Sequence, residues 1–339
     1  MTIIPQRLFL EVTTECNLRC KLCTFWQNKD PRDKITLASK VKFVKKVINW
    51  LEKCSERYRN SFSLILTGGE PFLYPKHIYK IAKLCEINEI NCCINTNGSL
   101  INSNLKKILN SGLTALTFSI DSHIAQIHDS LRGSIYLFDY VLATIKKIKQ
   151  KKDNRNLPLK VFVQSILGEW NINTLPSHVN FFKELGMDGI MFQPIQYPFG
   201  LQIPENWHSH FKKFPNSETE IQNGINYLLS LKQENGFVMN SKEEIELWKS
   251  YFQNPEYIQR DLNPCRAHEQ NLIVDVCGNV KFCFNKELEP KNKIGNILTN
   301  TIEELWYGKN ALQERQSMRS CNRACGIMTC HIDANLRES

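Results

Sequence analysis

The sequence predicts an α/β fold, a partial (β/α)6 TIM-like barrel followed by a small cysteine-rich β-hairpin and helix domain. Three observations carry this. Up to Gln193 the chain alternates strand-like and helix-like segments. The strand-like segments are short, apolar and often β-branched, as parallel strands covered on both faces are. Beyond Pro264 the composition changes, and six of the 13 cysteines fall within the 66 residues from Cys265 to Cys330.

The strand segments are Leu8–Thr13, Ser63–Thr67, Cys92–Asn95, Ala115–Ile120, Lys160–Ser165 and Gly189–Gln193. Between them, Leu37–Lys53, Lys76–Ile87, Ser103–Asn110, Ile135–Lys151 and Leu175–Leu185 carry helical patterns. Six β–α alternations imply a parallel sheet with crossover helices. A closed eight-fold barrel takes about 250 residues, so six units ending at Gln193 fit a partial, open barrel. Pro194, Pro198, Gly200 and Pro204 then punctuate the chain. Glu218–Glu234 and Lys242–Phe252 read as helices. The expected organisation is a barrel over 1–204, a helical linker over 205–260 and a cysteine-rich domain over 261–339.

Composition narrows the function classes. With 42% hydrophobic and 23% charged residues, 339 residues suit a globular protein with its own core. No apolar run reaches the roughly 18 residues of a spanning helix. Met1–Arg7 has no signal-peptide core or cleavage site. The expected location is the cytoplasm, where clustered thiols more often bind metal or do chemistry than pair as disulfides. The net charge of +9 is spread over helices as Lys40, Lys42, Lys45 and Lys46, and again over Lys146–Lys152. Solvated helix faces account for these. A nucleic-acid partner would ask for a focused basic stripe with aromatics, so nucleic acid and membrane are not expected partners.

The first chemical constellation is Cys16-x3-Cys20-x2-Cys23, directly after the first strand. The carboxyl ends of barrel strands are where β/α barrels build active sites. Three thiolates in one loop can converge on one centre. A three-cysteine iron–sulfur cluster leaves one iron without a protein ligand, which a catalytic site needs. Half of a zinc site is the alternative reading of three nearby cysteines.

Further segments stand at later strand ends: Thr67-Gly68-Gly69-Glu70-Pro71, Asn95-Thr96-Asn97-Gly98 and Ser119-Ile120-Asp121, then Leu131-Arg132-Gly133 before a helix. Together with the cysteine spacing, these motifs resemble the radical S-adenosylmethionine (SAM) superfamily, whose fold is a partial (β/α)6 barrel. The resemblance implies a [4Fe–4S] cluster on Cys16, Cys20 and Cys23. It implies SAM contacts from Gly68, Gly69, Glu70, Asn97, Ser119, Asp121 and Arg132, the arginine as a clamp on the SAM carboxylate. One departure is Leu22, where the superfamily usually has an aromatic residue before the third cysteine; Leu22 is expected to pack on the adenine, with Phe25 and Trp26 lining the site. The bland readings are a turn for the glycines, a surface carboxylate for Glu70, an N-cap for Asp121 and a surface cation for Arg132.

The second constellation starts at Cys265. Leu272–Val276 and Val280–Phe282 around Gly278-Asn279 read as a β-hairpin that carries Cys265 and Cys283 towards one point. Gly295-Asn296-Ile297, a helix over Ile302–Met318 and Cys321-x3-Cys325-x4-Cys330 follow. This stretch resembles the SPASM/twitch extension of radical SAM enzymes. Six cysteines do not make two fully ligated four-cysteine sites, so one auxiliary [4Fe–4S] cluster is expected. Its ligands are Cys265, Cys283, Cys321 and either Cys325 or Cys330. Cys277 sits where the family has no ligand and is left out; a structural zinc site is the alternative. Cys54, Cys85, Cys92 and Cys93 read as small buried hydrophobes.

The resemblance implies reductive cleavage of SAM to a 5′-deoxyadenosyl radical and hydrogen abstraction from a small molecule or a peptide side chain. It also implies an electron donor such as flavodoxin or ferredoxin. The first strand begins near Leu8, so a fused leader-binding domain is not expected. Alternatives are a natural-product or sulfatase maturase, an RNA-modifying relative and, in another class, a non-catalytic metal scaffold. Candidate general bases are His128, Asp129 and Glu169, while Gln164 and Gln193 could only orient substrate.

Overall fold

The computed structural model describes residues 4–27, 29, 31, 34–198, 204–234, 236–255, 265–286 and 294–321. Six parallel strands form the barrel wall: β1 (Arg7–Thr13), β2 (Ser63–Gly68), β3 (Asn91–Thr96), β4 (Ala115–Ser119), β5 (Lys160–Leu167) and β6 (Gly189–Pro194). Three more strands continue the same sheet, β7 (Asn271–Val274), β8 (Asn279–Lys281) and β9 (Gly295–Asn296). The order across the sheet is β6-β5-β4-β3-β2-β1-β7-β8-β9. β7 pairs parallel with β1, and β8 and β9 then pair antiparallel. The sheet therefore runs unbroken from the barrel into the cysteine-rich segment.

Helices α1 (Leu37–Leu51), α2 (Glu56–Ser61), α3 (Pro75–Ile87), α4 (Ile101–Ile108), α5 (Ala125–Arg132), α6 (Leu137–Asp153) and α7 (Leu175–Glu184) cross between the parallel strands. After β6 come α8 (Trp207–His210), α9 (Glu218–Glu234) and α10 (Lys242–Gln253). Then come α11 (Ala267–Gln270), α12 (Ile302–Tyr307) and α13 (Lys309–Arg319). The helix starts follow local chemistry. Thr36 caps α1 by accepting the Ser39 N–H, Ser241 caps α10, and Thr301 with Glu304 forms a reciprocal capping box on α12.

Burial alternates along β2, β3 and β5 rather than being continuous. One face, with Leu64, Leu66, Cys92, Ile94, Val161 and Val163, packs into the core. The other, with Ile65, Thr67, Cys93, Asn95, Phe162 and Gln164, is half-buried. That alternation is what an incompletely closed barrel produces, because its inner face is only partly filled.

Several details depart from the sequence reading. Lys40 does not belong to a solvated face: it is 1% exposed and its Nζ donates to the Val12 carbonyl at 2.7 Å. Lys152 is likewise buried, and it pairs with Asp188 at 2.9 Å. Helices α2 and α5 carried no clear periodic signal; α5 buries only His128 and Leu131. The expected helix over Ile302–Met318 is two helices, broken where Gly308 adopts an extended backbone. After β6, the chain near Val238 bridges back to Ile190, and Asn240 Oδ1 accepts the Phe192 N–H at 2.7 Å. Among the described residues no helix is long and apolar enough to cross a membrane.

Candidate active site

Cys16, Cys20 and Cys23 lie in the loop that leaves the carboxyl end of β1. The ends of β2 and β3 and the end of α5 hold that loop. The Gly69 N–H donates to the Thr13 carbonyl at 2.8 Å, and the Glu70 N–H donates to the Glu15 carbonyl at 2.9 Å. A Cβ on Gly68 would lie 2.2 Å from the Thr13 oxygen, and one on Gly69 would lie 2.0 Å from the Glu15 oxygen. The two glycines are thus required by the approach of the cysteine loop itself. On the far side, the Lys21 N–H donates to the Leu131 carbonyl at 2.8 Å. Gly133, with φ +65, ends α5 against the Arg19 carbonyl.

Glu70 is not a surface carboxylate. It is fully buried and accepts from the Phe72 N–H at 3.0 Å, the Thr96 hydroxyl at 2.9 Å and the Asn97 N–H at 2.8 Å. Burial pushes its pKa up to about 7 against those three hydrogen bonds. The carboxyl group thereby ties the end of β2 to the end of β3. Asn97 reaches the thiol loop: its Nδ2 donates to Asn17 Oδ1 at 3.0 Å and lies 3.9 Å from Cys16 Sγ. Ser99 closes this network through Asn97 Oδ1 and Asn17 Nδ2. Burial first, and the neighbouring Cys20, Glu70 and Cys23 after it, push the Cys16 thiol above its ordinary value, while the Leu18 backbone N–H pulls the other way.

Arg132 is not a surface cation either. It pairs with Asp121 Oδ2 at 2.8 Å; the Asp121 side chain is buried and that of Arg132 is 13% exposed. Its guanidinium also faces the Cys20 and Cys23 thiols. Asp121 is fully engaged, because Oδ1 accepts the Ile166 N–H at 3.1 Å and its carbonyl accepts from Trp170 and Asn171. Asp121 is not an N-cap for α5, whose cap position is Ile124. Ser119 ends β4 half-buried, level with Gln164 of β5.

Leu22 is half-buried against the core, and the Trp26 indole donates to the Cys20 carbonyl at 3.2 Å with Arg19 over its ring. Among the candidate bases, His128 is buried rather than on the helix surface. Its Nδ1 accepts the Asp121 N–H at 3.3 Å, and burial holds its pKa down to about 3. Asp129 accepts the Phe138 N–H at 2.9 Å, and Glu169 is exposed. Gln164 and Gln193 are half-buried strand residues. Sequence reasoning passed over Asn17, Ser99, Glu15 and Tyr74. Asn17 and Glu15 flank Cys16, which was the available signal; Tyr74 joins through space, donating to Glu15 Oε2 at 2.9 Å.

The cysteine-rich segment separates its thiols along the hairpin. Cys277 lies at the turn, where Asp275 Oδ1 accepts the N–H groups of Cys277 and Asn279 at 2.9 and 2.8 Å. Cys283 follows the end of β8 by two residues, as the chain runs antiparallel to β7 towards the end from which Cys265 enters. Cys265, Cys283 and Cys321 are half-buried. Cys325 and Cys330 lie outside the described residues. Among the described residues no three His, Cys, Asp or Glu side chains converge tightly enough to hold a single metal ion. Cys85 is buried in α3 and Cys92 in β3, while Cys93, on the other face of β3, and Cys54 are half-buried rather than buried.

The donor chemistry fits an iron–sulfur cluster with a bound cosubstrate. Three soft thiol ligands come from one loop. Beside them, the buried Nε of Arg132 has no partner among the described residues, leaving a donor for an anionic ligand group.

Comparison with known proteins agrees. The family model of the radical SAM superfamily matches residues 10–182. A second model, the SPASM iron-sulfur cluster-binding domain, matches 265–331. The AdoMet-dependent heme synthase of Methanosarcina barkeri is 26% identical over 337 residues, covering 96% of this chain and 89% of that protein. Its counterpart from Oleidesulfovibrio alaskensis is 27% identical, covering 95% and 79%. The crystal structure of Streptococcus suis SuiB bound to S-adenosylmethionine superposes with a TM-score of 0.70 at 15% identity, covering 99% of this chain and 75% of that one. With one model spanning half the chain and the other its cysteine-rich segment, the protein belongs to the radical SAM superfamily, as an enzyme of a [4Fe–4S] cluster and SAM that also carries an auxiliary-cluster SPASM region.

Proposed function

We propose that Cys16, Cys20 and Cys23 hold the SAM-binding cluster. Gly68, Gly69, Glu70, Asn97, Ser119 and Arg132 would form the wall that receives SAM. When bound, the cluster supplies the electron that cleaves SAM to the 5′-deoxyadenosyl radical, which takes a hydrogen atom from substrate. The chain's own residues then have distinct tasks. The glycine pair lets the thiol loop seat on β2, and Glu70 fixes the β2 and β3 ends in register. Asn97 presents an amide beside Cys16, and Arg132 offers a guanidinium to the SAM carboxylate. Asp121 acts through Arg132, as a positioning residue rather than a direct ribose contact. The observation that supports this reading most is the hydrogen-bonded joining of the thiol loop to the β2 and β3 ends and to α5.

In this reading Cys265, Cys283 and Cys321, with Cys325 or Cys330, hold one auxiliary [4Fe–4S] cluster. The half-buried inner face, with Gln164 and Gln193, is the wall offered to substrate. A small molecule is the substrate class placed first, because the heme synthases match the chain through the auxiliary region; a peptide side chain comes second. Iron, sulfide and zinc per chain after anaerobic reconstitution test the assignment. About eight iron and eight sulfide, with 5′-deoxyadenosine formed under dithionite, is the expected result. About four iron with one zinc would make the C-terminal site structural. Zinc without sulfide would refute the reading.

A further inference from the structure

Outside the barrel mouth, α1 and α3 enclose an open groove of about 820 Å³. Leu37 and Val41 line it, and Lys42, Lys45, Lys76 and Lys80 stand around it. All four lysines are exposed, and among the described residues none makes an ion pair. Helix α1 contains no acidic residue at all. The acid of α3, Glu86, sits in its last turn and is engaged by Lys83. Four like charges around an apolar floor repel one another unless a partner answers them.

The groove also adjoins both cysteine segments. Both helices begin at the carboxyl end of the strands, the end of the thiol loop. Lys34 donates to Tyr74 Oη at 3.3 Å, and Tyr74 donates to Glu15, the neighbour of Cys16. On the other side, the Ile35 N–H donates to the Val276 carbonyl at 2.8 Å, beside the hairpin turn.

We propose that this groove is the docking surface of a small acidic electron-carrier protein whose apolar patch covers Leu37 and Val41 and whose carboxylates meet the four lysines. The proposal rests on the reading above that the first cluster must receive an electron. In the step it serves, the carrier loses one electron and that cluster gains one, with no bond made or broken at the surface. A polynucleotide would satisfy the lysines but leave the apolar floor wet, so the observations favour a protein.

The test compares the reconstituted wild-type protein with K42E/K45E/K76E/K80E and with the milder K42Q/K45Q/K76Q/K80Q, both checked for folding by circular dichroism. The probe is an acidic flavodoxin. Its binding in the oxidised state is read by flavin anisotropy, which needs no turnover. 5′-Deoxyadenosine formation is read with reduced flavodoxin and, separately, with dithionite. The expected result is binding at least about tenfold weaker in the charge-reversed variant and intermediate in the neutral one. Wild-type binding should weaken as salt rises to about 0.5 M, where screening is nearly complete at these distances. Dithionite-driven cleavage should be the same in all three proteins. Equal flavodoxin affinity in all three would overturn the docking surface while leaving the radical reading intact. Displacement of flavodoxin by a short RNA that binds through the same lysines would reassign the groove to nucleic acid. Absence of dithionite-driven cleavage in the wild type would overturn the radical reading and the proposal with it.

Discussion

Replacing Gly69 by alanine puts a methyl group where no space exists. Its Cβ would lie 2.0 Å from the Glu15 oxygen and 2.8 Å from the Thr14 oxygen, where ordinary contact begins at 3.4 Å. The Glu15 carbonyl must therefore retreat by about 1.4 Å, the difference between 3.4 and 2.0 Å. That motion breaks the 2.9 Å hydrogen bond from the Glu70 N–H, which costs about 1 kcal/mol. Overpacking adds about 1–3 kcal/mol, so the variant should be about 2–4 kcal/mol less stable. The larger effect falls on the metal site, because Glu15 is bonded to Cys16 and metal–ligand distances tolerate only about 0.2 Å. The Gly69→Ala protein should lose about four iron per chain, the same loss expected of Cys16→Ala. Iron and sulfide analysis after reconstitution, with urea denaturation of the same samples, gives both numbers. A folded Gly69→Ala protein with wild-type iron content would refute the claim that these glycines exist to seat the thiol loop.

Acid should destabilise the fold through two buried neutral histidines. The Ser165 hydroxyl donates to the Ile120 carbonyl, so His178 Nε2 must carry the proton shared with Ser165 Oγ at 2.9 Å, and its Nδ1 has no partner among the described residues. Burial holds His178 and His128 down to about 3, whereas unfolded histidine titrates near 6.5. Their contribution is complete above about pH 6.5 and shrinks as pH falls towards 3. By pH 5 each costs about 2 kcal/mol; protonation of buried Glu70, raised to about 7, returns about 2 kcal/mol over the same window, so the net is a loss, and urea midpoints that do not fall between pH 7 and 5 would contradict this. Asp121→Asn leaves the Arg132 charge buried and uncompensated, with an expected loss of about 3–5 kcal/mol in chemical denaturation; a loss below 1 kcal/mol would show that solvent reaches the guanidinium. Arg315 lies 4.6 Å from the Phe282 ring and 4.3 Å from the Trp306 ring and donates to the His268 carbonyl at 3.1 Å. Arg315→Ala should therefore cost about 2–3 kcal/mol and lower the auxiliary iron content before the SAM-binding iron. Equal loss from both sites would count against the local role.

What the sequence disclosed were short-range patterns. The cysteine spacing, the six strands and the segments at strand ends are all written within a few residues of one another. The reasons behind them lay further apart. Gly68 and Gly69 look like ligand-side glycines until Thr13 and Glu15 are seen against them. Arg132 reads as a surface cation because Asp121 is eleven positions away and nothing local marks their meeting. Lys40 shares its composition with Lys42 and Lys45 and differs only in the Val12 carbonyl it reaches. Helix α5, AQIHDSLR, is too polar for periodicity to find, since it buries so little of itself. The pairing of β7 with β1 joins residues at opposite ends of the chain, which no window of sequence contains.

That pairing also acts as a ruler. The first thiol loop leaves β1 past Thr13, while β8, paired at Lys281 with Ile273, runs back towards Asn271, which faces Arg7 at the other end of the strand, and Cys283 follows two residues beyond Lys281. Six residue steps of about 3.3 Å separate the two ends by about 20 Å. A compact substrate cannot touch both ends at once, so for a small molecule a cluster on Cys283 would serve as an electron relay or a brace rather than as a handle on the reacting group. An extended polypeptide covers the same interval with about six residues. The length of the substrate thus decides which role the second set of thiols can play.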